Sequence, residues 1–347
     1  MSYQLSQLSE QTFPRLLDGI SDQPAWESKK ERIAEVWRQY IGWMPERVPS
    51  SYTILSDHRE ADHIRIHLSY KTGYGDLVYA YLLIPNHRKD AQTQASRSRY
   101  PAILALHPTD SKGKADIALS SGREGRRYAL ELVSRGYVVL APDTITAGER
   151  IYPEAEAFQT APFYKQYPNS TAIGKMIHDH QQGIDLLQSL PYVDPDRIGA
   201  IGHSLGAYNA YFLAAMDERI KAVVSSCGFC PFLHDPEPNR WGQRDWFSHL
   251  PRLTDDMKED RIPFEFHEIM ALMAPRPLFN WFTQNDKIFP NWQAAAFASL
   301  DVHRLYEWLE RTESYTSLIG NEGHDFPDHI RPLSYQFLDR WLRKDSV

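Results

Sequence analysis

The chain has 347 residues and a formal net charge of −7, from 38 Lys and Arg against 45 Asp and Glu. An apolar fraction of 42% and a charged fraction of 24% exclude a disordered, collagen-like or coiled-coil chain. An acidic chain without a sustained basic stripe argues against nucleic-acid binding, which depends on neutralising phosphates. We interpret the densest basic residues as a solvated face: Arg97, Arg99, Arg123, Arg126 and Arg127.

Neither end of the chain nor its interior carries a recognisable targeting or membrane signal. The first residues, MSYQLSQLSEQTF, lack the basic and apolar regions of a secretory signal, and no run approaches the roughly 18 apolar residues of a membrane span. Two cysteines, Cys227 and Cys230, are too few for a disulfide framework. We therefore expect a cytoplasmic protein with a small-molecule substrate and neither nucleic-acid nor membrane partners.

The first hundred residues predict a helix followed by a hairpin. Apolar residues between Ala25 and Trp43 recur at three- and four-residue steps, which is typical of an amphipathic helix, and the pattern ends near Pro45. Alternating runs at 63–70 and 77–84, joined by KTGYGD, predict an antiparallel hairpin. The polar stretch 86–100 is predicted to be a surface loop.

From Tyr100 onward, continuous apolar runs alternate with helical stretches. Such runs are typical of strands buried on both faces of a parallel sheet. The predicted strands are 101–107, 137–143, 197–204, 221–228, 277–284 and 315–320, and the predicted helices are 122–136, 171–190, 206–216 and about 327–342. The alternation predicts an α/β fold with a mostly parallel sheet, helices on both faces and the hairpin at one edge.

One long interruption, residues 228–265, is rich in Pro, Trp and Phe and has no clear period. A structureless segment of this length inside a compact domain tends to be functional. We interpret it as a cap over the ends of the strands. The whole chain, 1–347, is then one α/β domain in which 1–99 form the N-terminal helical segment and edge hairpin.

The pattern G-x-S-x-G occurs at Gly202-His203-Ser204-Leu205-Gly206, between a predicted strand and a predicted helix. That context is the one in which the motif places a nucleophilic serine on a strained turn. The alternative is a glycine-flanked turn with an incidental serine. The strand–turn–helix setting favours Ser204 as the nucleophile of acyl-transfer chemistry.

A nucleophilic serine needs a histidine base and a carboxylate that orients it. In this architecture the acid and then the histidine follow on loops after later strands. Asp286 follows the strand 277–284, and His324 follows the strand 315–320. Other histidines are less well placed, because they lie in predicted helices or in the cap and its flank: His303, His329, His234, His249 and His267.

Acyl transfer also requires N–H donors aimed at the developing oxyanion. The residue after the nucleophile, Leu205, is expected to supply one. The second is expected from the loop after strand 101–107, where Pro108 has no N–H and Thr109 is the candidate. His107 either contacts substrate or positions this loop.

These residues resemble the α/β-hydrolase superfamily, and within it the dienelactone-hydrolase and acetyl-xylan-esterase-like branch. The resemblance covers roughly residues 30–345 and includes GYVVLAPD at 136–143, GER at 148–150, and the segments 183–187 and 194–198. It implies a triad of Ser204, Asp286 and His324 with oxyanion donors at Leu205 and Thr109. Dienelactone hydrolases themselves use a cysteine nucleophile, so their own activity is not implied.

Several other residues allow two interpretations. Glu149 and Arg150 either contact substrate or form a structural ion pair, and Trp241 and Trp246 either line the pocket or pack the cap. Cys227 and Cys230 are interpreted as buried small residues rather than a redox pair. His178 and His180 are spaced i, i+2, which points them to different helix faces, so no metal site is predicted.

The sequence predicts a serine hydrolase that cleaves carboxylic esters through an acyl-enzyme on Ser204, without metal or organic cofactor. One alternative is a serine peptidase of prolyl-oligopeptidase type, although about 100 N-terminal residues leave no room for a propeller. The other alternative is a non-catalytic protein that uses the α/β-hydrolase fold for binding.

Overall fold

The computed structural model describes residues 2–86 and 99–343. Arg97 and most of the predicted surface loop 86–100 lie outside these residues. The described strands are β1 Tyr3–Gln4, β2 Tyr52–Arg59, β3 His63–Lys71, β4 Leu77–Pro85, β5 Tyr100–Leu106, β6 Val138–Pro142, β7 Val193–His203, β8 Ile220–Ser226, β9 Arg261–Ile262, β10 Leu278–Thr283 and β11 Tyr315–Gly320. The described α-helices are α1 Gln23–Ile41, α2 Ala115–Ala118, α3 Tyr128–Ser134, α4 Ala161–Gln166, α5 Ala172–Ser189, α6 Leu205–Met216, α7 Arg252–Lys258, α8 Phe266–Ala271, α9 Trp292–Trp308 and α10 Arg331–Leu342.

Nine of the described strands form one sheet in the order β11-β10-β8-β7-β5-β6-β4-β3-β2. The strands from β11 to β6 run parallel, and β4, β3 and β2 continue the sheet in antiparallel pairs. The sequence therefore predicted the mostly parallel sheet and its antiparallel end. It did not predict β2, which lies outside the hairpin and pairs with β3.

Helices cover both faces of this sheet, and alternate residues of each buried strand face opposite cores. In β5, Leu104 packs into the core beneath α5 and α6, whereas Ile103 packs into the core beneath α3 and α10. Because both faces are covered, β5 must be apolar at successive positions, as its sequence is.

The N-terminal helix α1 begins where the sequence places a capping residue. The Asp22 carboxylate accepts the Ala25 N–H at 2.9 Å, and Pro24 occupies the first turn. The helix ends at Gly42, whose φ of 77° is unfavourable for other residues. Its buried face includes Trp37, which packs against Phe212 of α6, so α1 closes the outer side of that helix layer.

Two predicted helices are shorter than expected. The segment 122–136 is helical only from Tyr128, because Gly122 and Gly125 belong to a turn in which a Cβ at Gly122 would lie 2.1 Å from the Asp116 carbonyl oxygen. The last helix begins at Arg331, so His329 precedes it rather than lying inside it. None of the described helices combines the length and apolar character needed to cross a bilayer.

The cap, residues 228–265, contains one turn of 3₁₀ helix at Pro238–Trp241, helix α7 and strand β9. Strand β9 pairs antiparallel with β1 at the start of the chain. Trp241 is buried against Phe266 and Tyr208, with ring centroids 4.3 and 5.0 Å apart. The cap is therefore fixed both to the N-terminal segment and to helix α6, next to the carboxyl ends of the central strands.

Candidate active site

Ser204 occupies a sharp turn between the last residue of β7 and the first residue of α6. Its backbone has φ 55° and ψ −119°, a region that L-residues with side chains rarely adopt. The Ser204 N–H donates to the Ser226 carbonyl oxygen at 2.8 Å, which ties the turn to the adjacent strand β8. The surrounding structure thus holds the serine in a strained conformation at the end of a central strand.

The two glycines of the motif allow this turn to form. A Cβ at Gly202 would lie 2.1 Å from the carbonyl carbon of Gly206. A Cβ at Gly206 would lie 1.9 Å from the carbonyl oxygen of Leu106, at the end of neighbouring strand β5. The backbones approach too closely for any side chain, so the motif is required by packing at both positions.

The structure brings Asp286 and His324 together on adjacent loops. Asp286 follows β10 and His324 follows β11, and these two strands are parallel neighbours. The His324 Nδ1 lies 2.7 Å from the Asp286 Oδ2, and the side chains are 20% and 2% exposed. The other carboxylate oxygen of Asp286 accepts the N–H groups of Ile288 at 2.7 Å and Phe289 at 3.0 Å.

This arrangement determines what each ring nitrogen of His324 can do. Because the carboxylate accepts the proton on Nδ1, Nε2 is left as the acceptor. Nε2 is buried and has no hydrogen-bond partner among the described residues. Ser204 and His324 line the same cavity, of about 510 Å³. A histidine whose Nε2 has no partner among the described residues and a serine on a strained turn therefore line one cavity.

The residues predicted as oxyanion donors, Leu205 and Thr109, follow two neighbouring strands, β7 and β5. Leu205 is the first residue of α6, so its N–H has no acceptor within that helix. Thr109 is exposed and lines the cavity together with Pro108. The sequence could not show that both loops reach one cavity, because this depends on β5 and β7 being neighbours in the sheet.

His107 does not reach this cavity, which corrects the interpretation of it as a substrate contact. It is completely buried, its Nδ1 donates to the Pro108 carbonyl at 2.7 Å, and its Nε2 accepts the Thr144 N–H at 3.1 Å. Burial lowers the pKa of His107, which favours this neutral form. His107 positions the loop that carries Thr109.

Glu149 and Arg150 also lie away from the cavity beside Ser204, so their interpretation as substrate contacts is wrong. Glu149 pairs with Lys114, and Arg150 is buried between Asp76 at 2.7 Å and Asp179 at 2.8 Å. The second interpretation, a structural ion-pair cluster, describes both residues.

Trp241 and Trp246 both line the cavity, but in different ways. Trp241 is buried and supports the wall from behind, through the aromatic contacts that fix the cap. Trp246 is 44% exposed and donates its indole N–H to the Ala157 carbonyl at 3.2 Å. Trp246 is therefore the cap tryptophan with surface left to offer a ligand.

The two cysteines are not joined in a disulfide, and Cys227 lies beside the Asp286–His324 pair. Cys227 and Cys230 are buried free thiols, and burial raises the pKa of both. The potential donor atoms of Cys227, Asp286 and His324 lie within 4.8 Å of one another. A metal held there would compete with the Asp286–His324 hydrogen bond. His178 and His180 belong to no comparable group of described donors.

Sequence reasoning missed several residues that the fold brings to the cavity. Tyr208 stands one helical turn after Ser204, a spacing that could have identified it, and its hydroxyl lies 2.7 Å from the His249 Nε2. Burial lowers the pKa of His249 to about 3, so its ring is neutral. Arg126 was assigned to a solvated face, yet it pairs with Asp325 at 2.6 Å and donates to the His324 carbonyl at 3.3 Å. It therefore helps to hold the His324 loop.

Comparison with known proteins gives partial and full-length matches. Residues 121–245 match the dienelactone hydrolase family. Over 322 residues the chain is 27% identical to the Bacillus subtilis (strain 168) protein YtaP, whose name proposes a hydrolase, covering 90% of this chain and 100% of YtaP. Over 135 residues it is 31% identical to dipeptidyl-peptidase 5 of Porphyromonas gingivalis, covering 38% of this chain and 17% of that protein.

Solved structures of esterases share the fold. A glucuronoyl esterase from Solibacter usitatus superposes with a TM-score of 0.70 and 18% identity, covering 96% of this chain and 98% of that one. Acetyl xylan esterase 1 from Thermoanaerobacterium sp. JW/SL YS485 superposes with a TM-score of 0.54 and 15% identity, covering 90% and 93%. These likenesses show that the described sheet and helices share the fold of the two esterases, and the family match shows that residues 121–245 are similar to the dienelactone hydrolase family.

Proposed function

We propose that this chain hydrolyses carboxylic esters through an acyl-enzyme on Ser204, with His324 as base and Asp286 as its orienting acid. The chain is a carboxylic ester hydrolase of the serine type. The observation that carries the proposal is the 2.7 Å bond from His324 Nδ1 to Asp286, which leaves Nε2 unpartnered in the cavity that Ser204 lines. The dienelactone hydrolase family match supports the same class of reaction.

Acylation begins when the Ser204 Oγ attacks the ester carbonyl and His324 Nε2 takes the hydroxyl proton. Negative charge develops on the carbonyl oxygen, where the N–H groups of Leu205 and Thr109 are proposed to donate. The tetrahedral intermediate collapses as His324 returns its proton to the leaving alcohol. The products of this half-reaction are the alcohol and the ester of Ser204.

Deacylation repeats these steps with water as the nucleophile. His324 takes a proton from water, hydroxide attacks the acyl carbonyl, and the Ser204 oxygen leaves with the proton that His324 returns. This half-reaction releases the carboxylic acid and regenerates the free enzyme. Every proton and electron pair is accounted for by substrate, water and the chain's own side chains, so the proposed cycle includes no cofactor.

The proposal is tested by labelling with a fluorophosphonate probe and by assaying p-nitrophenyl esters of graded acyl length. We expect Ser204 to carry the label, and Ser204→Ala to abolish both labelling and hydrolysis, with a loss of about 10⁶ in kcat. Ser120→Ala, which removes an exposed hydroxyl outside the cavity, serves as the matched control. Activity of Ser204→Ala within tenfold of the parent would contradict the assignment.

Two further outcomes separate the alternatives. Labelling of Ser204 with turnover of peptide p-nitroanilides but not of esters would identify a peptidase. Absence of both labelling and turnover would identify a binding protein. Acetylated sugars and uronic acid esters belong in the same substrate panel, because the structural neighbours are named acetyl xylan and glucuronoyl esterases.

A further inference from the structure

The wall of the cavity beside Ser204 is basic, although the chain as a whole is acidic. The chain carries a net charge of −7. The charged residues that the structure places on the wall, apart from the histidines, are Arg123, Arg126, Arg240, Arg244, Lys287 and Glu237. A concentration of positive charge at a pocket in an acidic protein raises the local concentration of anionic ligands.

Three of these arginines are already paired with carboxylates. The pairs are Arg123 with Asp116 at 2.7 Å, Arg126 with Asp325 at 2.6 Å, and Arg240 with Asp235 at 2.8 Å. Each pair neutralises its own charge and fixes a wall segment. These three arginines therefore help to hold the cavity wall in place, and their charges are already neutralised before a ligand binds.

Arg244, in the cap, differs from all three. Its Nε donates to the Phe247 carbonyl at 3.1 Å, and its guanidinium carbon lies 5.4 Å from the centre of the Trp246 ring. No carboxylate of the described residues forms an ion pair with Arg244, and Glu237 acts on its charge only from a longer distance. The two terminal nitrogens have no acceptor among the described residues, so a planar pair of donors remains open at the cavity.

The position of Arg244 is fixed, and its charge is partly withdrawn from water. Its backbone N–H donates to the Ser248 Oγ at 2.8 Å, and the same hydroxyl donates to the Arg244 carbonyl at 2.9 Å. Burial lowers the pKa of Arg244, but a guanidinium stays charged throughout the working pH range. A half-buried cation without a partner carries a desolvation cost that a bound anion would offset.

We propose that Arg244 is a specificity-determining residue, which binds a carboxylate carried by the ester substrate at a position away from the scissile bond. The inference rests on the ester hydrolysis proposed for Ser204 and names the substrate class of that site. A carboxylate matches the two parallel N–H donors of a guanidinium. The carboxylate belongs either to the acyl part or to the alcohol part, and the test distinguishes them.

The experiment compares two pairs of esters that differ only in charge. On the acyl side the pair is 4-nitrophenyl hydrogen glutarate and its carboxamide. On the alcohol side the pair is 4-acetoxybenzoate and 4-acetoxybenzamide. We expect the native chain to prefer the carboxylate in one pair, and Arg244→Gln to lower that kcat/KM ratio roughly ten- to hundredfold, as the loss of a charge-assisted hydrogen bond requires.

The loss is expected in KM rather than kcat, because Arg244 binds substrate away from the reacting atoms. Arg244→Lys should keep part of the preference for the carboxylate ester, since lysine retains the positive charge but lacks the two parallel N–H donors of the guanidinium. Arg252→Gln, which removes a 60% exposed arginine from the cap outside this cavity, should leave the ratio unchanged.

Equal kcat/KM values for acid and amide in both pairs would overturn the proposal. So would an equal fall for both members of a pair in Arg244→Gln. Competitive inhibition by inorganic phosphate that depends on Arg244, without any preference for a carboxylate ester, would also overturn it and assign the residue to phosphate. Failure of ester hydrolysis itself is distinguishable, because then neither neutral amide would be turned over in a Ser204-dependent way.

Discussion

Asp286 holds His324 through one carboxylate oxygen and is itself held through the other. Oδ2 accepts the His324 Nδ1 proton at 2.7 Å, while Oδ1 accepts the backbone N–H groups of Ile288 and Phe289. The carboxylate is therefore fixed in rotation by its own loop. Because the two oxygens have different partners, they determine how an amide at the same position would be oriented.

In Asp286→Asn, the amide oxygen must occupy the Oδ1 position, because two N–H donors point at it. The NH₂ group then faces His324 Nδ1 and donates to it, which moves the ring proton to Nε2. A protonated Nε2 cannot accept the Ser204 proton, so kcat should fall by roughly 10⁴ with little change in folding. Steady-state kinetics on a p-nitrophenyl ester measure the effect.

Asp328→Asn is the matched control, since Asp328 lies on the His324 loop, after β11, with its side chain 96% exposed. A negligible effect of Asp286→Asn would point to another carboxylate. Asp143 also follows a strand, β6, but it is buried and bonded to Lys114 and Glu149. To orient His324 in place of Asp286, Asp143 would have to break these hydrogen bonds.

Trp246→Ala tests whether the cap selects the acyl group. Trp246 is the better choice because Trp241 is buried, and truncating it would leave a cavity in the packing against α6. We expect KM for longer acyl chains to rise roughly three- to tenfold through lost apolar contact, while the acetate ester is hydrolysed as before.

Trp43→Ala, at an exposed tryptophan outside the cavity, should leave the ranking of acyl groups unchanged. A uniform fall in kcat for every ester in Trp246→Ala, with the same ranking, would instead show that the cap supports the catalytic residues.

Glu268 should make stability depend on pH. Burial raises its pKa from 4.5 to about 7, and its two oxygens accept the Tyr3 hydroxyl at 2.9 Å and the Glu265 N–H at 2.9 Å. The folded chain therefore binds the proton of the Glu268 carboxyl group more tightly than the unfolded chain does. The contribution of protonated Glu268 to the free energy of unfolding is complete below pH 4.5 and is lost as pH rises through about 7.

Glu268→Gln should weaken this decline, because an amide keeps the acceptor for the Glu265 N–H and offers the Tyr3 hydroxyl a donor. We expect its Tm to exceed that of the native chain by a few degrees near pH 8, with a smaller difference near pH 5. Glu313→Gln, at an exposed glutamate, provides the charge-matched comparison. If the difference in Tm between Glu268→Gln and the native chain were the same at both pH values, Glu268 would not be the source of the pH dependence.

Chelation should not inactivate the enzyme. In the proposed cycle, Ser204, His324 and Asp286 supply the nucleophile, the base and the orienting acid, so no step remains for a metal to perform. Initial rates before and after exhaustive dialysis against EDTA provide the measurement. Loss of activity that returns on addition of a divalent cation would contradict the cycle and direct attention to Cys227, beside the acid–histidine pair.

Much of the fold was determined locally and could be predicted. The apolar runs that became β5, β6 and β10 are continuous because both sheet faces are covered, and this leaves a pattern in the sequence. Strand β2 left no such pattern, because it lies at the sheet edge with most of its side chains exposed. Helix α3 was overestimated, because the close packing of the preceding turn overrides helical propensity.

The residues proposed for catalysis could also be predicted, because each is tied to a motif or to the end of a strand. Ser204 is identified by glycines that the backbone contacts require, and Asp286 and His324 by their order after parallel strands. The role of the cap side chains was decided only by tertiary structure. Arg240 and Arg244 are four residues apart in one irregular segment, yet one is neutralised by Asp235 and the other faces the cavity unpaired. Charge pairing between distant or aperiodic positions depends on where the folded chain places each carboxylate, and that information is absent from local sequence.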